Sequence, residues 1–204
     1  MNSPLRSIPA CLVLFAVAIS PKTQKQSPNL VPNGALEQGQ TAPLGWEKLP
    51  SDGSIRWLSS GGNPGRCLVF DLSQAIAEGP GMLYYSDFFP VENGKKYIFS
   101  ADIKTDGPVP RPFVKGYALA PDAQGVIAKR PFYQRQSAFP ATDEWRAFSM
   151  TFTPKVIVGY KGRYDIKWAR VMLYAYLKPG RIYFDNVVVR EARAGGISPP
   201  SEKR

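Results

Sequence analysis

The chain has 204 residues, with 26 Lys and Arg against 16 Asp and Glu, a net charge of +10 and no histidine. The missing histidine excludes Ser-His-Asp and Cys-His catalysis, histidine zinc sites and histidine general bases. With 44% hydrophobic and 12% aromatic residues, the chain can bury a core without metal or disulfide, which excludes wholesale disorder.

In chain order, Arg6 is followed by the apolar run "SIPACLVLFAVAIS". It has the length of a signal-peptide core and is too short to span a bilayer. Small residues near Ala18 and Ser20 suit cleavage, so residues 1–20 are expected to be a signal peptide and the product secreted, to the periplasm or beyond. Cys11 lies inside the apolar core with no hydrophobic stretch before it, and so reads as core rather than as a lipidation site. No other run has the length and apolarity of a transmembrane helix. Residues 21–28 read as a linker, 29–192 as the folded domain and 193–204 as a disordered tail.

The domain reads as short strands broken by Gly and Pro. "NLVPNGALEQ" and "GWEKLP" open it. "SIRWLSS" turns at "GGNPG" into "RCLVFDL". "SQAIAEG" is expected to make one helical turn. "GMLYYSDFFPV" leads through "ENG" into "KKYIFSADIKTD". "FVKGYALA" turns at "PDAQG" into "VIAKRPFYQRQS". "EWRAFSMTFTP" comes next, and after a looser stretch come "IKWARVMLYAYL", the turn "KPG" and "RIYFDNVVVRE". The fold class is therefore all-β, a two-sheet antiparallel sandwich or a barrel. Cys67, in a strand-like run, is expected to be a small buried residue, not a reactive thiol.

Strand alternation assigns faces. Tyr97, Phe99, Ala101 and Ile103 form one side of their strand; Ser100, Asp102 and Lys104 form the other. Val171, Leu173, Ala175 and Leu177 oppose Met172, Tyr174 and Tyr176. The second face is too aromatic for a merely solvated surface.

Three motifs carry a family resemblance. "NLVPNGALEQG…PLGW", "VENGKKYIFSADIKTDG" and "KPGRIYFDNVVV" resemble, in order, the opening, a central hairpin and the closing strand of jelly-roll carbohydrate-binding modules of the kind attached to cellulases and xylanases. The match spans Asn29 to about Arg190. It implies a galactose-binding-like jelly roll that binds poly- or oligosaccharide on a concave aromatic and polar sheet face, without catalysis. Such modules commonly ride on enzymes, so action alone or beside a separately encoded glycan-active enzyme is expected.

The resemblance also implies a structural calcium ion held by Glu37 and Asp185, with carbonyls of the turn around Asn63 to Arg66 completing an oxygen shell. The alternative is that Asp185 accepts from local backbone N–H groups without metal. Asn186 departs from the Asp-Asp often found at this place in the family.

Sugar rings need flat aromatics for stacking and nearby polar groups for hydrogen bonds. The expected ligand residues are Tyr174, Tyr176, Asp102 and Lys104, with Tyr84, Ser86, Tyr133 and Arg135 lining the same cleft. The scattered positive charge leaves open an anionic polysaccharide or an anionic envelope as partner. Nucleic acid is not expected, since no nucleic-acid motif is present. "YKGRYDIK" faintly resembles the Tyr-rich motif of jelly-roll polysaccharide lyases, but those pair the tyrosine with a histidine or another base. Two other classes stay open: an envelope adhesion domain without a sugar site, and a glycan-active enzyme on the same fold.

Overall fold

The computed structural model describes residues 27–121, 124–159 and 162–192. The segment expected to be a signal peptide, most of the expected linker, the tail beyond Ala192, and Tyr160 and Lys161 of the lyase-like stretch lie outside the described residues. The strands are β1 (Ile55–Gly62), β2 (Gly65–Leu72), β3 (Met82–Tyr85), β4 (Phe89–Pro90), β5 (Tyr97–Thr105), β6 (Val109–Pro110) and β7 (Phe113–Pro121). They continue with β8 (Ile127–Gln136), β9 (Arg146–Phe152), β10 (Ile157–Gly159), β11 (Gly162–Tyr164), β12 (Trp168–Tyr176) and β13 (Gly180–Glu191). The expected helical turn is α1 (Gln74–Glu78), capped by Ser73, whose hydroxyl accepts from the Ile76 amide.

Two antiparallel sheets face each other. One has the order β1-β2-β13-β5-β9; the other runs β3-β12-β7-β8, with β4 and β6 as short pairs on β12. β10 and β11 form a separate hairpin. The core lies between the sheets because the long strands alternate. β5 buries Tyr97, Phe99, Ala101 and Ile103, and β12 buries Val171, Leu173 and Ala175. Phe70 and Phe184, neighbours in the first sheet, meet with ring centres 5.1 Å apart. The all-β sandwich is thus the observed fold.

Three local expectations are corrected. "NLVPNGALEQ" is not a strand: residues 31–35 form bends and turns, with Asn33 and Leu36 at positive φ. The segment lies along β13 through single hydrogen bonds, Leu30 N to Val189 O and Val187 N to Gly34 O. Gly34 is obligatory there, since a Cβ would stand 1.9 Å from the Val187 carbonyl oxygen. Neither "ENG" nor "KPG" closes a hairpin. β4 pairs with β12 but β5 pairs with β13, and β12 and β13 belong to opposite sheets. Both turns carry the chain across the sandwich, and Leu177 (φ 73°) takes the sharp bend of the second. Leu177 leaves the core face and is exposed.

Candidate functional site

The outer face of the β3-β12-β7-β8 sheet carries the densest chemistry. Alternation on β12 sends Trp168, Arg170, Met172, Tyr174 and Tyr176 to this side. Cross-strand pairing extends each into a row. Trp168 stands opposite Tyr117, and Tyr117 opposite Pro131. Arg170 stands opposite Lys115, and Lys115 opposite Gln134. Met172 lies between Tyr85 and Phe113, and Phe113 faces Gln136. Rows two residues apart along a strand are separated by about 7 Å. The face is therefore striped: rings, then cations, then rings.

Direct contacts tie the stripes together. Arg170 is the centre. Its Nε donates to the Ser86 carbonyl at 2.6 Å and Nη2 donates to Glu47 Oε1 at 2.7 Å. Its guanidinium also lies 4.5 Å from the Tyr85 ring centre and 4.9 Å from that of Phe88. Phe88 meets Tyr117 edge-on at 5.0 Å. Lys129 Nζ stands 4.3 Å from Phe88 and 4.9 Å from Trp168. Lys115 Nζ donates to the Tyr85 hydroxyl at 3.0 Å. At the far end Tyr174 stacks on Tyr176 at 5.3 Å and Arg111 covers Tyr176 at 4.8 Å.

Of the expected ligand residues, Tyr174 and Tyr176 sit on this face. Tyr174 is also anchored, its hydroxyl donating to the Pro80 carbonyl at 2.9 Å. The other six are elsewhere. Asp102 and Lys104 are on β5, in the opposite sheet, and point away from the sandwich on its far side. Lys104 lies over Tyr183, 6.0 Å from the ring centre. Tyr84 and Ser86 are 2% and 0% exposed. Tyr84 belongs to the core face of β3, stacks on Trp46 and donates to the Glu47 carbonyl; burial pushes its hydroxyl well above the usual phenol range. Ser86 Oγ accepts from the Val171 amide at 3.0 Å, which makes it a structural link between chain segments.

Tyr133 and Arg135 are carried to the other side of their sheet by a bulge. Register along β7 and β8 slips between Gly116 and Tyr117, so Tyr133 pairs with Gly116 and Arg135 with Val114, on the core side. Tyr133 packs against the core, while Arg135, near the end of the edge strand, stays exposed. One inserted residue, Phe132, reverses the parity of the residues after it. It stacks instead on Tyr164 of β11, at 4.2 Å. Sequence reasoning missed Trp168, Arg170, Lys115, Tyr85, Phe88 and Phe113. The signal was present: extending the Tyr174 parity back along β12 reaches Trp168 and Arg170.

A cavity of about 420 Å3 also opens between the free edges of β1 and β3. Ile55, Ile76, Met82 and Leu83 are among its walls, and Tyr84 is the one ring in its lining. That wall is poorer in stacking surface than the striped face.

The far side of the sandwich answers a different question: why "IYFDNVVV" places a carboxylate inside a strand. β13 bulges between Asp185 and Val188, where Asp185 pairs with Asp102 and Val188 with Ser100. Asn186 occupies the bulge at φ 47°, a conformation asparagine tolerates better than most residues. Asp185 is fully buried under the turn at residues 63–66. Its Oδ2 accepts from the Asn63 amide and its Oδ1 from the Asn186 amide, both at 2.6 Å. Glu37 Oε1 accepts from the Arg66 amide at 2.8 Å, and Asp102 accepts from the Asn63 and Asn186 side chains. Burial, and the nearby charges of Asp102 and Glu37, push the Asp185 carboxyl up to about 6 despite its two amide donors. Burial, with the charges of Asp185 and Glu37, pushes the Cys67 thiol up to about 11, so it stays a protonated, buried residue.

This donor set fits a hard cation in part. It is all oxygen, the charges of Asp102 and Glu37 reach the buried Asp185, and Asp185 lacks a Lys or Arg partner among the described residues. However, the turn presents N–H groups, not carbonyls, to Glu37 and Asp185. No three His, Cys, Asp or Glu side chains among the described residues are grouped to hold a metal. A calcium ion would have to take the remaining lone pairs of Glu37 and Asp185 and complete its shell with carbonyls and water.

No family model matches the sequence, and no curated relative matches it. Solved structures do resemble the fold. The CBM22-1 xylan-binding domain of Xyn10C from Paenibacillus barcinonensis superposes with a TM-score of 0.51 at 14% identity, over 85% of this chain and 100% of that one. A cyclase from Fischerella sp. TAU gives 0.53 at 15% identity, over 85% and 100%. The enzymatically active domain of tailspike protein 4 of bacteriophage CBA120 gives 0.53 at 11% identity, and this chain spans 80% of its own length but 21% of the tailspike chain. At such identities the likeness establishes the fold alone. It is the jelly-roll sandwich of carbohydrate-binding modules, and enzymes use it as well.

Proposed function

We propose that the protein is a secreted, non-catalytic carbohydrate-binding module whose ligand lies across the striped face of the β3-β12-β7-β8 sheet. The observation that carries this reading is the set of half-buried rings Trp168, Phe88, Tyr85 and Phe113 on one sheet surface, backed by the buried Tyr117 and continued by Tyr174 and Tyr176. Apolar C–H faces of pyranose rings stack on such surfaces, and the amides of Gln134 and Gln136 beside them suit hydroxyl groups. The xylan-binding domain of the same fold gives analogy-level support. The calcium held by Glu37 and Asp185 stays part of the proposal as a structural ion, remote from the ligand face, and so does action beside a separately encoded glycan-active enzyme.

Trp168→Ala tests the reading. Loss of one stacking ring is expected to weaken polysaccharide retention in affinity electrophoresis about tenfold, by the scale of a buried ring at an interface. Because Trp168 is half-buried on the outer side, urea unfolding should shift by about 1 kcal/mol or less. Unchanged retention would sink the assignment of this face. Release of reducing ends from a bound polysaccharide would favour the enzyme reading.

A further inference from the structure

The cation stripe is costly to the free protein. Arg170 and Lys115 are directly opposite on adjacent antiparallel strands and face the same side. Like charges so placed destabilise a sheet. Arg170 is offset by Glu47. Lys115 is not: among the described residues no carboxylate lies within ion-pair distance of Lys115, Lys129 or Arg111. Each of the three instead lies over the ring of Tyr85, Phe88, Trp168 or Tyr176. Ring contact fixes a cation without neutralising it. The face thus holds three positioned, unneutralised positive charges between stacking platforms, on a chain whose excess charge is already +10.

We infer that the ligand is an acidic glycan, a chain whose sugars carry carboxylate or sulfate groups. Its rings lie on the aromatic rows and its anionic groups fall on Lys115, Lys129 and Arg111. This rests on the carbohydrate reading above and specifies its substrate class. Binding would relieve the Arg170–Lys115 repulsion, so affinity and the cost in the free protein are linked. A neutral polysaccharide meets the same rings but leaves the three cations with water alone.

The experiment is affinity electrophoresis of the full chain in gels containing polygalacturonate, its carboxyl-reduced neutral form, a sulfated galactan, or polyglutamate, each at several salt concentrations. Strong retention on one or both acidic glycans, weak retention on the reduced polymer and weak retention on polyglutamate is the expected result. Which acidic gel retains the protein identifies the anionic group. Lys115→Gln should weaken that retention about threefold and Lys115→Gln with Lys129→Gln about tenfold, with a flatter salt dependence. Melting temperature should stay level or rise in both variants, because a repulsion is removed. Equal retention on the acidic polymer and its reduced form overturns the acidic-glycan inference and leaves the carbohydrate reading standing. Equal retention on polyglutamate overturns the inference as mere charge attraction. Retention on no gel overturns both readings.

Discussion

Asp185→Ala is expected to lower the unfolding free energy by about 2–4 kcal/mol, measured by urea titration. Two effects oppose each other. The carboxylate is buried and charged beside Glu37 and Asp102, which penalises the native state; its deletion relieves that. Deletion also leaves the Asn63 and Asn186 amides without the buried acceptor they share, at about 1–3 kcal/mol each. The two orphaned donors outweigh the relieved repulsion, because Asp102 and Glu37 keep their own partners.

The same site separates the metal-free account from the calcium account. Without a cation, the Asp185 carboxyl titrates at about 6 in the folded protein and at about 3.9 unfolded. The folded state then binds more protons between those values, so stability falls as pH rises through about 4 to 6 and is regained on acidification. With calcium bound, acidification removes a ligand and the slope reverses. A hundredfold excess of calcium over its dissociation constant would add about 2.7 kcal/mol. Asp185→Asn keeps one acceptor and removes the charge, so in chelator it should be milder than Asp185→Ala. A wild-type melting curve unmoved by calcium and by chelator would remove the ion from the account and leave the hydrogen-bonding role intact.

Arg170→Ala is the second large effect. It should cost about 2–3 kcal/mol and at the same time abolish most glycan retention. The side chain is 15% exposed and donates to Ser86 and Glu47 while lying over two rings. Its ion pair with Glu47 is worth little alone, since Glu47 is 44% exposed and screened by water. The larger loss is the Ser86 carbonyl left without its charged donor and the packing of Tyr85 and Phe88 against a flat cation. Arg170→Lys should recover little, because an ammonium group cannot reach two acceptors and stack as a planar guanidinium does. If Arg170→Lys matched the wild type in both measurements, the central role given to Arg170 would be wrong.

The core of this fold was legible because a period of two records which side of a strand is dry. β5 and β12 bury the residues their alternation selects. Sheet membership was not legible. Whether "ENG" or "KPG" closes a hairpin depends on partners far away in sequence, and both turns look like hairpin turns locally. Assigning Asp102 and Lys104 to the cleft of Tyr174 and Tyr176 assumes one shared sheet, whereas β5 belongs to the opposite one. The bulges were equally silent. Nothing local to "RPFYQRQ" announces that Phe132 is supernumerary, yet that one residue moves Tyr133 and Arg135 off the ligand face. The family resemblance brought Glu37 and Asp185 into one neighbourhood, which alternation alone could not have done.

The strand that ends the second sheet has a further consequence. β8 is an edge, with one side of its backbone unpaired by any neighbouring strand among the described residues. It carries Lys129, Arg130, Pro131 and Arg135, and it bulges at Phe132. Proline withholds an amide, the bulge breaks the straight ladder, and the cations repel a second copy of the same edge. A sheet face carrying this many half-buried rings would otherwise invite strand-to-strand addition at its edge. The irregularity that takes Tyr133 off the ligand face thus also works against strand-to-strand addition of a second copy at this edge.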